Sequence, residues 1–523
     1  MKLTTALVTI AALVSVGVNA QACSSNVVRK EIRSHTTAEW ARVTKVVKLL
    51  QDSGWFTWFA YIHTANFGTI HGCEIFLPFH RRFLRDFESV GQMYDKQFAL
   101  PYWDELRDYA NPATSTVLSS SYLGGNGQGG DSCVANGIQA NWSMGYPNKH
   151  CLRRKYNSGA KISAWYSPEF IQSLMSRSTK MSELRPSFEY SLHGSVHLAL
   201  GGDMIMDWSP NDFAFWVHHA NIDRLWFVWQ MQNPNQNFWS IEGVDIKGKA
   251  LTYGTLLPNY NENILSTMQP GYNNMCFFYD NGSTVSRKRS LHNKRDQRKC
   301  LHRPSTQMPP LVEGVFENVD DVPVAADTYV KDTIVASLPK DVLNKWFPTY
   351  TVIPATGYNN TIDNVIPPVP ALDDTGVHTT TEEAVVSDAY TSAAVSSDDE
   401  YLSDVDSSLP EYLSSQEESE YSAIPIPTDE SEVSSVQESA VYSEAYVAFD
   451  YEENPDIYGI DGVGIKYPMP NPFPLTPQWV AMHNLSPEVI HENYQQAKDF
   501  VRDMNVAGYQ SPFAKGGQDE VSE

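Results

Sequence analysis

Apolar residues recur three and four positions apart in several segments of the N-terminal half, the pattern of a helix with one buried face. Three such segments are EWARVTKVVKLL at 39–50, HRRFLRDFESVGQMY at 80–94 and HHANIDRLWFVWQMQ at 218–232. A fourth, SPEFIQSLMS at 167–176, opens with Ser at the N-cap position, Pro at the first helical position and Glu next, which favours a helix start. The pattern predicts a mainly helical core within residues 21–284.

The remaining residues divide into segments of different composition. Residues 1–20 are typical of a secretory signal, with Lys2, an apolar run and the small-residue site Val18-Asn19-Ala20. No later segment is apolar enough to cross a bilayer, so we expect a secreted protein without membrane contact. The segments after the core are a basic stretch at 285–300, a Pro/Val-rich extension at 301–371 in which short strands are expected, an acidic Ser-rich tract at 372–456, and a C-terminal segment at 457–523 with one helix.

The net charge of −24 is concentrated in the acidic tract. Residues 373–456 hold 23 of the 62 Asp and Glu residues and no Lys or Arg, so the rest of the chain is close to neutral. Such a composition cannot bury enough apolar surface to fold, which predicts disorder. No basic stripe occurs along the chain, and this argues against nucleic acid as a partner.

The cysteine count fits an oxidising compartment, where an even number favours disulfides, here three. Cys133 and Cys151 are the best pair on proximity, because both lie in a Gly/Ser/Asn-rich loop at 111–159. The absence of a C-x-x-C pair disfavours a zinc knuckle. Glycans are expected wherever an N-x-S/T acceptor sequence is exposed, and these sequences begin at Asn141, Asn281, Asn359 and Asn484.

Six of the 14 histidines fall into two groups whose spacing suits a metal. Two members of the second group are four residues apart in HGSVH and so share one helical face. Neutral imidazole suits copper, zinc, iron or nickel. Zinc is the ordinary choice for one three-histidine site, but two such sites without a carboxylate or thiolate ligand predict a copper pair. The two groups are His63, His71 and His80, and His193, His197 and His219.

Four stretches extend the pattern beyond the histidines: HGCEIFLPFHRRFLRDFE, PYWDE, HGSVH and NDFAFWVHHANIDRLW. Together they resemble the copper-binding core of tyrosinases, catechol oxidases and molluscan-type haemocyanins, over about residues 23–280. The resemblance implies a four-helix-bundle core that holds two copper ions. It also implies that copper A is bound by His63, His71 and His80, and copper B by His193, His197 and His219.

The resemblance distinguishes the two adjacent histidines. In the family pattern the second histidine of the doublet is the ligand, so His219 is expected to bind copper and His218 to point elsewhere. Asp223, one turn beyond His219, is a candidate to orient that imidazole. Phe76 and Phe215 match positions where the family places rings against the ligands, and ordinary core packing explains them equally well.

The implied reaction is the oxidation of ortho-diphenols or ortho-aminophenols by O₂ to ortho-quinones or their analogues. Monophenol hydroxylation in the family uses a water held by a Glu and an Asn. Glu189 matches the Glu, with a plain surface carboxylate as the alternative, but Gly194 replaces the Asn, which predicts weak or absent hydroxylation. Met206 matches a gate position over copper A, where its flexible thioether would narrow the entrance.

Three other functions are compatible with this core. One is a true tyrosinase with full monophenol monooxygenase activity in melanin-type pigment synthesis. Another is an oxygen carrier of haemocyanin type, which the single copy of the core disfavours. The third is a secreted structural protein with an inactive site, which the complete set of six histidines disfavours. Colour development with a simple catechol in air distinguishes a copper oxidase from the carrier and from the inactive structural protein.

Regulation is expected at the junction after the core. Arg287-Lys288-Arg289 and Lys294-Arg295 predict cleavage by a processing protease, with a solvated loop as the alternative. The family commonly keeps the enzyme latent with a C-terminal segment over the copper pocket, so we expect activity when the extension leaves. A Cys276–Cys300 disulfide would hold the cut ends together. Cys73 is expected in a disulfide, with Cys23 as candidate partner, and Thr69 in the family's Cys position predicts no thioether at His71.

Overall fold

The structure, a computed structural model, describes residues 22–280, 325–350 and 468–514, and there the chain is mainly helical, which confirms the predicted fold class. The helices are α1 Thr37–Asp52, α2 Trp55–Ile70, α3 Phe76–Tyr94, α4 Pro168–Arg177, α5 Met181–Phe188, α6 Gly194–Leu200, α7 Phe213–Gln232, α8 Pro234–Asn237, α9 Ala326–Ser337, α10 Lys340–Trp346, α11 Pro477–Met482 and α12 Pro487–Val506. The strands are β1 Val27–Arg29, β2 Ser143–Met144, β3 His150–Cys151 and β4 Phe277–Tyr279.

Several predictions fall outside these ranges. The signal at 1–20, the basic segment at 285–300 and the acidic tract at 372–456 all lie outside the described residues. Of the glycan acceptor positions, Asn141 and Asn484 are described, and both are exposed. None of the described helices is long and apolar enough to span a membrane.

The helix starts follow local capping chemistry. Thr36 and Glu39 form a capping box at α1, since each side chain accepts a hydrogen bond from the backbone N–H of the other residue. Ser167 caps α4 by accepting from the N–H of Phe170, and Pro168 fills the first helical position. These residues define the α4 boundary that the sequence predicts.

The centre of the core is α7, whose residues are buried on nearly every side. Its Trp216 stacks on Phe83 and Phe87 of α3, with ring centroids 5.1 and 3.8 Å apart. A helix that is buried on all sides must be enclosed by other elements. Rings from α2, α3 and α6 contact the histidine-bearing turn of α7, through His63, His80 and His197. This four-helix arrangement positions the two histidine groups.

Disulfides and short strands tie distant parts of the core together. Parallel pairing of β1 with β4 places Val27 beside Phe277, next to a disulfide between Cys23 and Cys276. The predicted Cys133–Cys151 bridge is present beside the β2–β3 pair. The expected pairings Cys23–Cys73 and Cys276–Cys300 are therefore wrong. Cys73 is a buried free thiol whose Sγ lies 3.4 Å from the carbonyl oxygen of Thr69.

Residues 325–350 belong to the core and form helices, where the sequence suggested short strands. Asp327 of α9 accepts a hydrogen bond at 2.8 Å from Arg224 of α7, and both side chains are fully buried. Tyr350 donates from its hydroxyl to Gln172 of α4 at 2.6 Å. The packed core therefore continues past residue 284, because α9 and α10 complete its surface.

The C-terminal segment 468–514 contains two helices rather than the one predicted. On α12, Phe500 is fully buried and packs edge-on against Phe170 of α4 and Trp346 of α10, with centroids 5.4 and 5.3 Å apart. Tyr509 donates to the buried Glu169 of α4 at 3.3 Å. This packing holds α11 and α12 against the core.

We expect Asp327→Ala to lower the free energy of unfolding by about 3–5 kcal/mol, because it leaves the buried Arg224 guanidinium without its closest carboxylate. Denaturant unfolding of the full chain measures this effect. Asp52→Ala is the matched control, since the Lys48–Asp52 pair is exposed and worth less than about 1 kcal/mol. Equal effects of the two substitutions would show that α9 does not contribute to the stability of the core.

Candidate dinuclear metal site

The structure brings the predicted histidines together in two buried groups. The ligand atoms within each group lie within 4.8 Å of one another, close enough to bind a common ion. The groups are also adjacent, since His80 stacks on His219 with ring centroids 4.4 Å apart. The first group is His63, His71 and His80, and the second is His193, His197, His218 and His219.

Backbone carbonyls set the tautomer of four of these rings. A carbonyl oxygen only accepts, so an Nδ1 beside it must carry the proton, and Nε2 then keeps its lone pair. The accepting carbonyls belong to Asp207 for His63 (2.5 Å), Phe67 for His71 (3.2 Å), Phe76 for His80 (2.8 Å) and Met204 for His197 (2.5 Å). Each of these rings is therefore held with a metal-binding nitrogen free.

Several buried ring nitrogens have no hydrogen-bond partner among the described residues. They include Nε2 of His63 and His80, Nδ1 of His219, and both nitrogens of His193. The Nε2 atoms of His197 and His219 lie 3.2 Å apart. Buried polar atoms without partners are costly, whereas a cation between such lone pairs would satisfy them. The donor set, all neutral imidazole, fits a pair of copper ions.

The pKa values of these histidines favour the neutral form. Burial lowers the pKa of His63 to about 3 and that of His197 to about 4. Burial, followed by the neighbouring imidazoles, holds the pKa of His71, His193 and His219 well below the usual value. The rings can therefore act as ligands at neutral pH without first losing a proton.

An irregular turn introduces the second group. Residues Glu189–His193 form a π-helical turn between α5 and α6, an uncommon feature that inserts an extra residue and is frequent at functional sites. The turn ends at His193, and His197 follows one turn later on α6. The two ring centroids are 4.6 Å apart.

The adjacent histidines have different partners. His218 donates from Nδ1 to the buried Glu105 carboxylate at 2.6 Å, and the same carboxylate accepts from Asn221. His219 has no such carboxylate, and its Nε2 faces the ring of His197. His218 is therefore close enough to the second group to be a ligand, but its Nδ1 is already hydrogen-bonded to the Glu105 carboxylate.

Asp223 does not orient His219, contrary to the prediction. Its carboxylate accepts from Arg81 at 2.5 Å and from the hydroxyl of Tyr279 at 2.6 Å, and it pairs with Arg29. Asp223 therefore links α7 to α3 and to the β1–β4 pair.

The two predicted phenylalanine rings lie against the histidines. Phe76 is 4.7 Å from His80 and 4.8 Å from His193 between ring centroids, and thus touches both groups. Phe215 is 4.1 Å from His219 and 5.2 Å from His63. Both rings are fully buried, so they keep the space between the groups apolar.

Glu189 is fully buried, so its interpretation as a surface carboxylate is wrong. One carboxylate oxygen accepts from the backbone N–H of Gly72 at 2.9 Å and the other from Arg185 at 2.8 Å. Burial raises the pKa of Glu189, and the Arg185 charge opposes this shift. The contact with Gly72 places the acid next to His71 in the chain.

Gly194 and Met206 lie beside the histidines on different elements. Gly194 starts α6, and a Cβ there would come within 2.8 Å of Leu475 and 2.9 Å of Trp479. Met206 is partly buried and lies between Met204 and Asp207, whose carbonyls hold His197 and His63. Gly194 is therefore connected to the site through its contact with the C-terminal segment. Met206 is connected to it through the loop whose carbonyls bind His197 and His63.

Two further residues, one on α11 and one at its C-cap, lie beside the histidine groups without a signal in the sequence. His483 is buried, with its ring centroid 4.9 Å from His71 and 4.8 Å from Phe67. Trp479 stacks on His483 at 3.6 Å and lies 5.7 Å from His193. Trp and His four positions apart in a short helix carry no recognisable motif, so only the five prolines and three aromatic residues of YPMPNPFPLTPQW indicated a packed segment.

Comparison with known proteins agrees with this geometry. The family model for the common central domain of tyrosinase matches residues 53–232. The tyrosinase of Streptomyces antibioticus is 32% identical over 237 residues, which cover 40% of this chain and 85% of that protein. Tyrosinase ustQ of Aspergillus flavus is 32% identical over 238 residues, covering 41% and 66% of the two chains.

Among solved structures, a polyphenol oxidase variant from Thermothelomyces thermophila matches with 20% identity and a TM-score of 0.42, over 49% of this chain and 88% of that one. The family assignment depends on the sequence match to the Streptomyces enzyme, which extends over most of that relative. The chain belongs to the tyrosinase family of dinuclear copper proteins and is a copper-dependent oxidoreductase.

Proposed function

We propose that this chain is a secreted oxidase that uses O₂ to convert ortho-diphenols or ortho-aminophenols to ortho-quinones or their analogues. The observation that carries the proposal is the pair of adjacent, buried groups of neutral imidazoles with unsatisfied nitrogens. Bound copper would supply the exchange of electrons with O₂ and the phenol. The proposed ligands are His63, His71 and His80 for one ion and His193, His197 and His219 for the other.

The protein's own contribution is to orient the substrate and to exclude water. Phe76 and Phe215 line the space between the two groups with apolar surface, which keeps the local dielectric constant low. A phenol ring would lie against His71, His193 and Phe67, where His483 now packs. A phenol in this position would stack against aromatic rings and would contact both histidine groups.

Glu189 is the candidate base for monophenols, but its oxygens are already engaged by Gly72 and Arg185. Gly194 offers no side chain that could share a water with it. We therefore propose that the chain acts on ortho-diphenols far faster than on monophenols. A true tyrosinase is the second candidate, favoured by the burial of Glu189 close to His71.

We expect catechol oxidation to exceed phenol hydroxylation by about 10²-fold or more, the range that a positioned general base contributes. Oxygen uptake and quinone absorbance measured side by side give this ratio. The ratio does not depend on the docking of α11, because both substrates need the same open pocket. Equal rates would identify a true tyrosinase, and reversible O₂ binding without turnover of either substrate would identify a carrier.

Gly194→Asn tests the missing amide directly, with Gly194→Ala as its matched control. Either new Cβ would press on Leu475 and Trp479 and so raise both rates by loosening α11. Only the Asn variant is expected to raise the share of monophenol turnover. The same share in both variants would exclude Glu189 as the partner of that amide.

We further propose that the described conformation is latent, because α11 occupies the approach to the histidines. Secretion is supported by the disulfides Cys23–Cys276 and Cys133–Cys151, which persist in oxidising compartments. Processing at 287–295 by a protease remains part of this proposal. Since α9 and α10 are packed into the core, a cut there would leave the C-terminal segment in place.

A further inference from the structure

His483 has the same hydrogen-bonding state as the proposed copper ligands. Its Nδ1 donates to the carbonyl oxygen of Trp479 at 2.9 Å, which leaves the lone pair on Nε2. No hydrogen bond to this Nε2 is found among the described residues, although the side chain is only 3% exposed. A buried imidazole with a free lone pair therefore faces a site made of the same kind of group.

The ring separation between His483 and His71 is as short as the ring separations inside the two histidine groups. Ring centroids within the first group are 5.2 to 5.7 Å apart, and within His193, His197 and His219 they are 4.6 to 5.4 Å apart. The His71–His483 separation is 4.9 Å, and the His193–His483 separation is 6.2 Å. The ring nitrogens of His483 do not lie within 4.8 Å of every ligand atom of either group, so the ring has to move closer before its Nε2 can reach an ion held there. Both groups already supply three imidazoles, so His483 would be an additional ligand.

Two glycines leave room for His483 and for the neighbouring Trp479. Gly72 has a φ of +70°, and a Cβ there would lie 2.9 Å from the carbonyl oxygen of His483. Gly194 similarly leaves room for Trp479. A separate apolar cluster anchors α11 and the turn that follows it, and its members are Tyr190, Leu475, Trp479, Val480, Leu485 and Ile490.

We infer that His483 is an additional copper ligand of the uncleaved chain, donating through Nε2 to the ion held by His71. This inference rests on the proposed ligand role of His71. The seventh imidazole would take the position that a phenol needs, and would couple copper binding to the docking of the C-terminal segment. Such coupling is reciprocal, so docking retains copper and copper strengthens docking.

The test measures how fast a chelator removes copper from the full chain carrying His483→Phe, which keeps an aromatic ring but lacks a donor. His491→Phe is the matched control, because His491 is an exposed histidine of the same segment. We expect copper release to be at least about tenfold faster in His483→Phe than in the unmodified chain and in His491→Phe, since losing even a group that supports a ligand costs about 10–100-fold in metal affinity. Equal rates in chains with equally docked segments would overturn the inference.

Protease protection of residues 468–514 gives a second readout that does not depend on any variant folding. Copper is expected to increase this protection in the unmodified chain, and no increase on adding copper would contradict the proposed ligand. The total copper content separates the two hypotheses. Two ions per chain with unchanged release in His483→Phe would reject only the role of His483, whereas failure to bind two ions would reject the copper-site assignment itself.

Discussion

His219→Gln is expected to release one copper ion and to lower catechol oxidation by about 10³-fold or more, since a catalytic metal supplies several kcal/mol of transition-state stabilisation. His218→Gln, one residue earlier, is expected to keep both ions. The difference follows from their partners. His218 is engaged by Glu105 at 2.6 Å, whereas His219 faces the unprotonated nitrogen of His197 at 3.2 Å.

Glutamine is chosen at both positions because it can still donate a hydrogen bond. At position 218 an amide N–H can replace the imidazole donor to Glu105 and so keep both hydrogen bonds to this buried acid, where the loss of one costs about 1–3 kcal/mol. Copper content by atomic absorption and the catechol rate are measured on the same preparations. If His218→Gln lost an ion and His219→Gln kept both, the assignment of the doublet would be reversed.

Local chemistry explains what the sequence could predict. Regular spacing of apolar residues in HRRFLRDFESVGQMY predicts α3, and the Ser-Pro-Glu start predicts α4, because these signals depend only on near neighbours. His193 and His197 share a helical side for the same reason. The lack of carboxylate and thiolate ligands predicts a copper pair, but only the family resemblance implied the order in which the histidines are shared between the two ions, because the groups lie far apart along the chain.

Features that depend on contacts between residues far apart in the chain could not be predicted from the sequence. Asp223 appeared to be a neighbour of His219 on α7, but two buried arginines from β1 and α3 compete for its carboxylate. Cys23 pairs with Cys276 across 253 residues, which proximity in sequence cannot suggest. The short helices α9 and α11 have weak patterns of their own and owe their form to the core that they cover.

Weakening the docking of α12 is expected to raise the catechol rate of the full chain by about 10²-fold or more. Phe500→Ala removes a fully buried ring, which costs about 3–5 kcal/mol and shifts the ratio of open to closed chains by a corresponding factor. The ring contacts of Phe500 are with Phe170, Trp346 and Phe347, and none of these residues belongs to the histidine groups. A gain in rate would therefore report release of α11 and not a change at the metal site.

Val506→Ala is the matched control, because Val506 ends the same helix with 58% of its surface exposed and should leave the rate unchanged. Cleavage confined to 287–295 should likewise change little, because Asp327 and Phe500 continue to hold both parts of the extension on the core. Activity should appear when residues 468–514 dissociate, as followed by size-exclusion chromatography of the cut chain. A full-length chain that is already as active as the dissociated core would mean that α11 opens freely, and that the packing of Trp479 and His483 over the histidines does not restrain catalysis.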